Sequence, residues 1–340
     1  MLNFRLIFFY AFFLLIVLSG CASGPKYPQK PSGEYIWPSP PETPRIKWLT
    51  QWSNEYDFKS PNALLDYLIG NQGVEWLLRP NGVVADSSGN IYVADSMRRA
   101  VFVFDIKKQE IRLLGKGLLQ IPVGLALDNK KGIVYVSDSR IDKVFGIDIN
   151  TDTLKITLGV VEKFSNPSGM VFDDSRDRLY IADTKNHIVR VYDEKGKPLF
   201  TIGSKGQEDN EFNFPNYLAL DMNGRLFVVD QFNFKVKIFS PEGKFLKKFG
   251  NLGDSSGYFT RPAGLGVDSE GHVYLVDTAF NNFQIFDEDG KFYLHIGKSG
   301  KEPGEFSYPS GMFVDKNDRI FVTDTYNRRI QVFQYLKENK

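Results

Sequence analysis

One unit recurs six times along this chain, and that recurrence limits what it can fold into. Each unit opens at a proline: Pro80, Pro122, Pro167, Pro215, Pro262 and Pro309. Fifteen or sixteen residues later an apolar run closes on an aspartate: Asp95, Asp138, Asp183, Asp230, Asp277 and Asp324. Nine residues further stand Phe104, Ile147, Tyr192, Phe239, Phe286 and Phe333. A period of 42 to 48 residues rich in short strand signals is that of propeller blades and solenoid repeats. The abundance of Phe and Tyr suits strands better than helices.

Unit four shows the local logic. Residues 217–220 form a short apolar strand, and Asp221-Met222-Asn223-Gly224 is a turn: the carboxylate accepts backbone N–H groups and Gly supplies positive φ. Residues 226–229 are apolar throughout, as in a strand packed on both faces. The alternation of Lys235, Lys237 and Phe239 predicts a third strand with one solvated face. After Ser240-Pro241-Glu242-Gly243, residues 244–250 supply an outer fourth strand. Four strands with polarity rising outward make a propeller blade. Gly stands two residues after the proline at Gly82, Gly124, Gly169, Gly264 and Gly311, which lets inner strands approach closely. Unit four has Tyr217 there, which predicts that its ring intrudes on the central channel or displaces its neighbours.

The sixth unit ends without an outer strand, and an open edge is avoided in natural sheets. Residues 45–52 (Ile46, Trp48, Thr50, Trp52) are the unassigned strand-like segment, expected to pair beside residues 329–334 and close the ring. Residues 60–70 carry helix start and stop signals, so residues 45–79 read as a closing strand and a short helix.

The unit resembles the NHL repeat, as in Pro309-Ser310-Gly311 with residues 320–333, or Tyr180-Ile181-Ala182-Asp183 followed by Asn186-His187. Unit two departs most, with Arg140-Ile141-Asp142 where Asn-Arg is typical. The resemblance spans residues 80–335 and implies an all-β, six-bladed propeller of NHL/TolB-like type with four-stranded blades. It implies little about chemistry, because the same fold carries binders, lyases and lactonases.

Ahead of the repeats, Arg5 precedes a thirteen-residue apolar run over residues 6–18, ending Leu18-Ser19-Gly20-Cys21. Thirteen helical residues span about 20 Å, short of the ~30 Å hydrocarbon core, which argues for a signal peptide over residues 1–20. The four closing residues resemble the bacterial lipobox, and Cys21 is the sole cysteine. Acylation there would anchor the chain in a bacterial cell envelope, in the outer membrane where the host has two, since Ala22 follows the cysteine. Seven prolines among residues 22–44 predict an extended tether over residues 21–44, reaching up to roughly 70 Å at about 3.1 Å per residue.

Chemistry-bearing residues are sparse. The six strand-closing aspartates lie apart around a ring and cannot converge on one ion, so they read as structural. Zinc-dependent lyases of NHL type hold the metal with histidines, and His187, His272 and His295 fall in a loop, a turn and an outer strand. Calcium-type lactonases use oxygens at the channel mouth. The residues here expected at that mouth are Asn81, Ser168, Asn216, Tyr217 and Ser310, without a carboxylate. No cofactor is expected.

The loops joining second to third strands share a face with the loops leading to each proline. They offer Arg98, Arg99, Arg140, Lys185, Phe232, Asn233, Phe280, Tyr326 and Arg328, a composition typical of interaction hot spots. Phe212, Phe259 and Phe306, in the long segments before the last three prolines, read as covers for the core. A formal charge of +1 and an export signal argue against a nucleic-acid partner. The expectation is a monomeric, non-enzymatic envelope lipoprotein whose loop face binds a protein, peptide or glycan. The alternative is a calcium-type hydrolase or lyase working at the channel mouth.

Overall fold

The structure, a computed structural model, describes residues 31, 33–58 and 75–337. Cys21, the signal peptide and the helix expected over residues 60–70 lie outside the described residues.

Six antiparallel sheets stand around one axis. Blade one is Pro80–Ala85, Ile91–Asp95, Ala100–Asp105 and Glu110–Leu114, and blades two to five repeat that meander. Blade six contributes Pro309–Val314, Arg319–Asp324 and Arg329–Tyr335, and its outer strand comes from the other end of the chain. Ile46–Trp52 pairs with Arg329–Tyr335 from Ile46 opposite Tyr335 to Trp52 opposite Ile330. Hydrogen bonds between residues about 280 apart therefore close the ring, and the first strands of blades one and six are neighbours.

The segment read as a free tether is in part folded. Ile36–Trp37 adds a fifth strand outside Ile46–Trp52. Tyr35 packs edge-on to Trp48, and Trp37 packs on Phe333. Two aromatics within the proline-rich stretch had more apolar surface to bury than its prolines had reason to stay extended.

At the axis the glycines act through contact. A Cβ on Gly124 would lie 2.1 Å from the Ser168 carbonyl oxygen of the next blade, and one on Gly311 would lie 2.1 Å from that of Asn81. The inner strands are thus drawn together to a distance that only glycine permits.

The third strands do not have the solvated face that alternation predicted. Lys237 is fully buried and pairs with Asp230 at 3.0 Å. Its ammonium donates to the Glu208 carbonyl at 2.7 Å and to that of Glu211. Gln284 and Gln331 hold the equivalent place in blades five and six. Gln284 accepts from Gly257 N and donates to Tyr258 O, and Gln331 accepts from Gly304 N and donates to Glu305 O. Polar chains at this position anchor the long segments that lead into blades four to six, whereas blades one and two carry buried Phe102 and Phe145 there. Each long segment folds over Phe212, Phe259 or Phe306, all fully buried between blades.

Trp48 joins both halves of the closure, meeting Tyr35 and donating Nε1–H to Gln331 at 3.2 Å. Trp48→Ala is expected to cost about 3–5 kcal/mol, as for other buried large-to-small changes. The measurement is the urea midpoint of the full chain. Trp48→Phe should recover most of the loss.

Candidate functional site

The strand-closing aspartates are fully buried and are the hubs of one face of the disc. Asp95 accepts from Met97 N and Arg98 N of its own loop, and from Leu78 N and Arg79 N of the segment leading into its blade. Asp138 and Asp277 repeat that pattern. Asp324 adds a salt bridge to Arg329 at 2.7 Å, and Asp183 one to Arg190 at 2.7 Å. Burial pushes the Asp230 and Asp324 carboxyls above the usual range, against the opposing pull of their cations and amides. These groups organise loops.

The residues expected at the channel mouth divide between the central cavity and contacts near it. A register shift follows the proline in all six blades. Asn81, Ser168, Asn216 and Ser310 are not among the residues lining the central cavity described below. Buried Ser168 binds Thr184 Oγ1 and the Asn216 carbonyl, and Ser310 binds the hydroxyls of Thr323 and Thr325. Tyr217 does line the cavity, and its phenol reaches Ser310 two blades away. Burial pushes that phenol up to about 12.

The cavity, about 500 Å³, runs from the glycine ring to the opposite face of the disc and is walled mainly by apolar side chains such as Val84, Leu127, Val171 and Phe313. At its far rim Asp221 pairs with Arg225, Asp315 with Arg319 and Asp268 with His272. The Asp268 hydrogen bond raises the His272 pKa. Among the described residues no three His, Cys, Asp or Glu side chains gather where they could hold a metal ion. His187, His272 and His295 lie in a loop of blade three, at a turn of blade five and in an outer strand.

On the loop face the predicted residues divide. Arg99, Arg140, Lys185, Phe232, Tyr326 and Arg328 are exposed. Phe280 is half-buried. Arg98 is bound to the Trp76 carbonyl and to Glu75. Asn233 is a brace, donating to Gly206 O and Asp230, and Asn327 does the same to Gly300 O and Asp324.

The residues just before the prolines were not singled out by sequence reasoning, and two of them complete the site. Phe214 packs between His187 (4.7 Å) and Phe232 (4.9 Å). Tyr308 stacks on Tyr326 at 4.7 Å and 16°, with the Arg261 guanidinium 5.0 Å from its ring centre.

Both hold an unusual backbone: φ is +61° at Phe214 and +57° at Tyr308. A bulky residue before proline favours extended φ, so this left-handed state is strained by an amount of order 1–3 kcal/mol. One contact accounts for it. Phe214 N donates to His187 Nδ1 at 3.2 Å, and Tyr308 N donates to Asn281 Oδ1 at 2.7 Å. Asn166, also at positive φ, donates to Asp142 Oδ1 at 2.7 Å. In the other three blades the residue matching the acceptor is Arg99, Phe234 or Arg328, and the pre-proline residue is not left-handed. The signal was present as a paired column of the repeat: an acceptor in one loop, and the residue before the next proline.

Similarity to known proteins follows this architecture. A family model described as a 6-bladed beta-propeller matches residues 267–338, and one described as an SMP-30/gluconolactonase/LRE-like region matches residues 63–206. The chain is 32% identical over 96 residues to human (Homo sapiens) NHL repeat-containing protein 2, covering 25% of this chain and 13% of that protein. The chain therefore spans only a small part of that relative. A gluconolactonase from Xanthomonas campestris superposes with TM-score 0.60 at 15% identity, over 76% of this chain and 86% of the other. Virginiamycin B lyase from Staphylococcus aureus gives 0.56 at 13%, over 78% and 83%. At such identities the two structures share the fold alone. The chain is an NHL-repeat six-bladed β-propeller.

If the amide acceptor sets the aromatic pair, Asn281→Gly will release it without adding strain at Asn281, whose φ is +53°. The expected result is loss of the Tyr308–Tyr326 near-ultraviolet circular dichroism signal and a destabilisation of about 1–3 kcal/mol from the stranded amide. Asn281→Asp, which keeps an acceptor, should preserve the signal.

Proposed function

We propose that this propeller is a recognition module of the bacterial cell envelope, anchored by lipid at Cys21 and binding a macromolecular partner through its loop face. The carrying observation is the pair of aromatic groups, Phe214–Phe232 and Tyr308–Tyr326, held with strained backbone beside exposed cations. Strain of this kind persists where surrounding contacts impose it, and it clusters at ligand-binding sites. Large rigid rings next to guanidinium groups are the side chains that dominate binding energy at interfaces.

The distribution of carboxylates supports binding over hydrolysis. The strand-closing aspartates are occupied by backbone amides; of the rim aspartates, Asp221 and Asp315 pair with arginines, Asp268 with His272 and Asp174 with the Asn129 amide. Of the hydroxyls and amides expected at the mouth, Ser168 is bound to Thr184 and the Asn216 carbonyl, Ser310 to Thr323 and Thr325, and the Asn81 amide to the Arg79 carbonyl. Gluconolactonase and lyase relatives leave the fold open to enzymatic use, but they bring no matching donor set to this chain.

In membranes from cells producing the full chain, a photo-crosslinker at the loop face should yield a discrete adduct. Phe232→Ala with Phe280→Ala and Tyr326→Ala is expected to abolish it while the thermal midpoint stays within a few degrees. An adduct that persists in the triple variant, or lactone or ester turnover by the purified wild-type chain with calcium, would overturn this reading. Separately, Cys21→Ser should abolish palmitate incorporation and release the protein from the membrane fraction. Unchanged membrane retention would refute the anchor.

A further inference from the structure

The loop face is divided by chemistry. Its aromatic half is Phe214, Phe232, Tyr308 and Tyr326, on blades four and six, with Arg261 of blade five between them. Its cationic half is Arg328, Arg99, Arg140 and Lys185, on blades six, one, two and three. All four of these cations are exposed, and among the described residues no carboxylate pairs with them.

The six loops between second and third strands contain one carboxylate, Asp142, and it is committed to Asn166 N. In the segments leading to the prolines, Glu211 and Glu305 turn back onto their own amides, Glu162 pairs with Arg190, and Asp209 pairs with Lys248. The acids left over, Glu208, Asp254 and Glu302, all stand on the long segments of blades four to six, where Lys205, Arg261 and Lys301 balance them. Among the described residues these four cations therefore have no paired carboxylate, Glu75 on the segment into blade one being paired with Arg98 and Lys116, although the chain as a whole is near neutral.

We infer that the partner is an acidic peptide segment of another protein, with apolar anchor residues on blades four to six and its carboxylates over blades six to three. This rests on the function proposed above and names the partner's class. Like-signed charges left unpaired around a rim cost solvation little while free. They favour an oppositely charged partner in both orientation and rate of encounter. Anchors alone would bind in more than one orientation, whereas a carboxylate run is drawn to the unbalanced cations of blades six to three rather than to the balanced charges of the other half. The two halves together set one direction.

The test uses the full chain in detergent and a labelled dodecapeptide with two tryptophans followed by six glutamates. Controls replace the glutamates by glutamine or the tryptophans by serine, and oligogalacturonate is a third probe. The acidic peptide is expected to bind at least about 10-fold more tightly than its glutamine analogue at 50 mM salt, and to lose most of that advantage at 300 mM. Arg99→Glu with Arg140→Glu and Lys185→Glu should lower its affinity by about 10-fold or more, with no change for the glutamine analogue. Phe232→Ala with Tyr326→Ala should weaken both peptides. Equal binding of the two peptides, indifference to the charge reversal, or preferential binding of oligogalacturonate would each overturn the acidic-peptide assignment. None of these would touch the recognition reading, which falls if the loop-face adduct survives the aromatic substitutions or if the purified chain turns over lactones or esters with calcium.

Discussion

The buried carboxylate that closes each second strand is the interaction on which the rest depends. It receives amides from two directions, from the loop that follows it and from the segment arriving at its blade. A fully buried charge is costly unless its lone pairs are filled, so each loop must reach its aspartate in one conformation. Repeated six times, this fixes the height of every loop on one face of the disc. The aromatic pairs and the cations stand on that common level.

Around these hubs the blades are joined by polar contacts as well as packing. The threonine after the aspartate donates to the carbonyl of the next blade's proline at Thr184, Thr278 and Thr325. The last of these spans the ring closure, where Ile46–Trp52 also completes blade six. A propeller without that strand would expose an unpaired edge and the apolar side chains of Arg329–Tyr335. Ring closure and loop-face geometry are therefore coupled: Gln331 holds both Trp48 of the closing strand and Gly304 of the segment that presents Tyr308.

Much of this was legible in the sequence. The period, the glycines, the aspartates and the orphan strand-like segment each follow from local rules about turns, close approach and open edges. Exposed Arg99, Arg140, Lys185, Phe232 and Tyr326 were legible too, because loops between strands face solvent. Asn233 was read less well, since an asparagine at a loop tip looks the same whether it is free or bracing its neighbour. Lys237 misled because alternation with a charged residue means solvent in an ordinary sheet. Here a neighbouring loop with spare carbonyls covers that face.

What the sequence by itself determined is the number and kind of blades, since turn chemistry and strand pattern act within about forty residues. Only the tertiary structure decided which of those residues meet. Ser168, just after its proline, binds the Asn216 carbonyl of the next blade. The left-handed Phe214 and Tyr308 exist because His187 and Asn281, twenty-seven residues earlier, offer acceptors to their amides. Neither effect belongs to a single blade. Both arise where one blade's loop satisfies the hydrogen-bonding demand of the next.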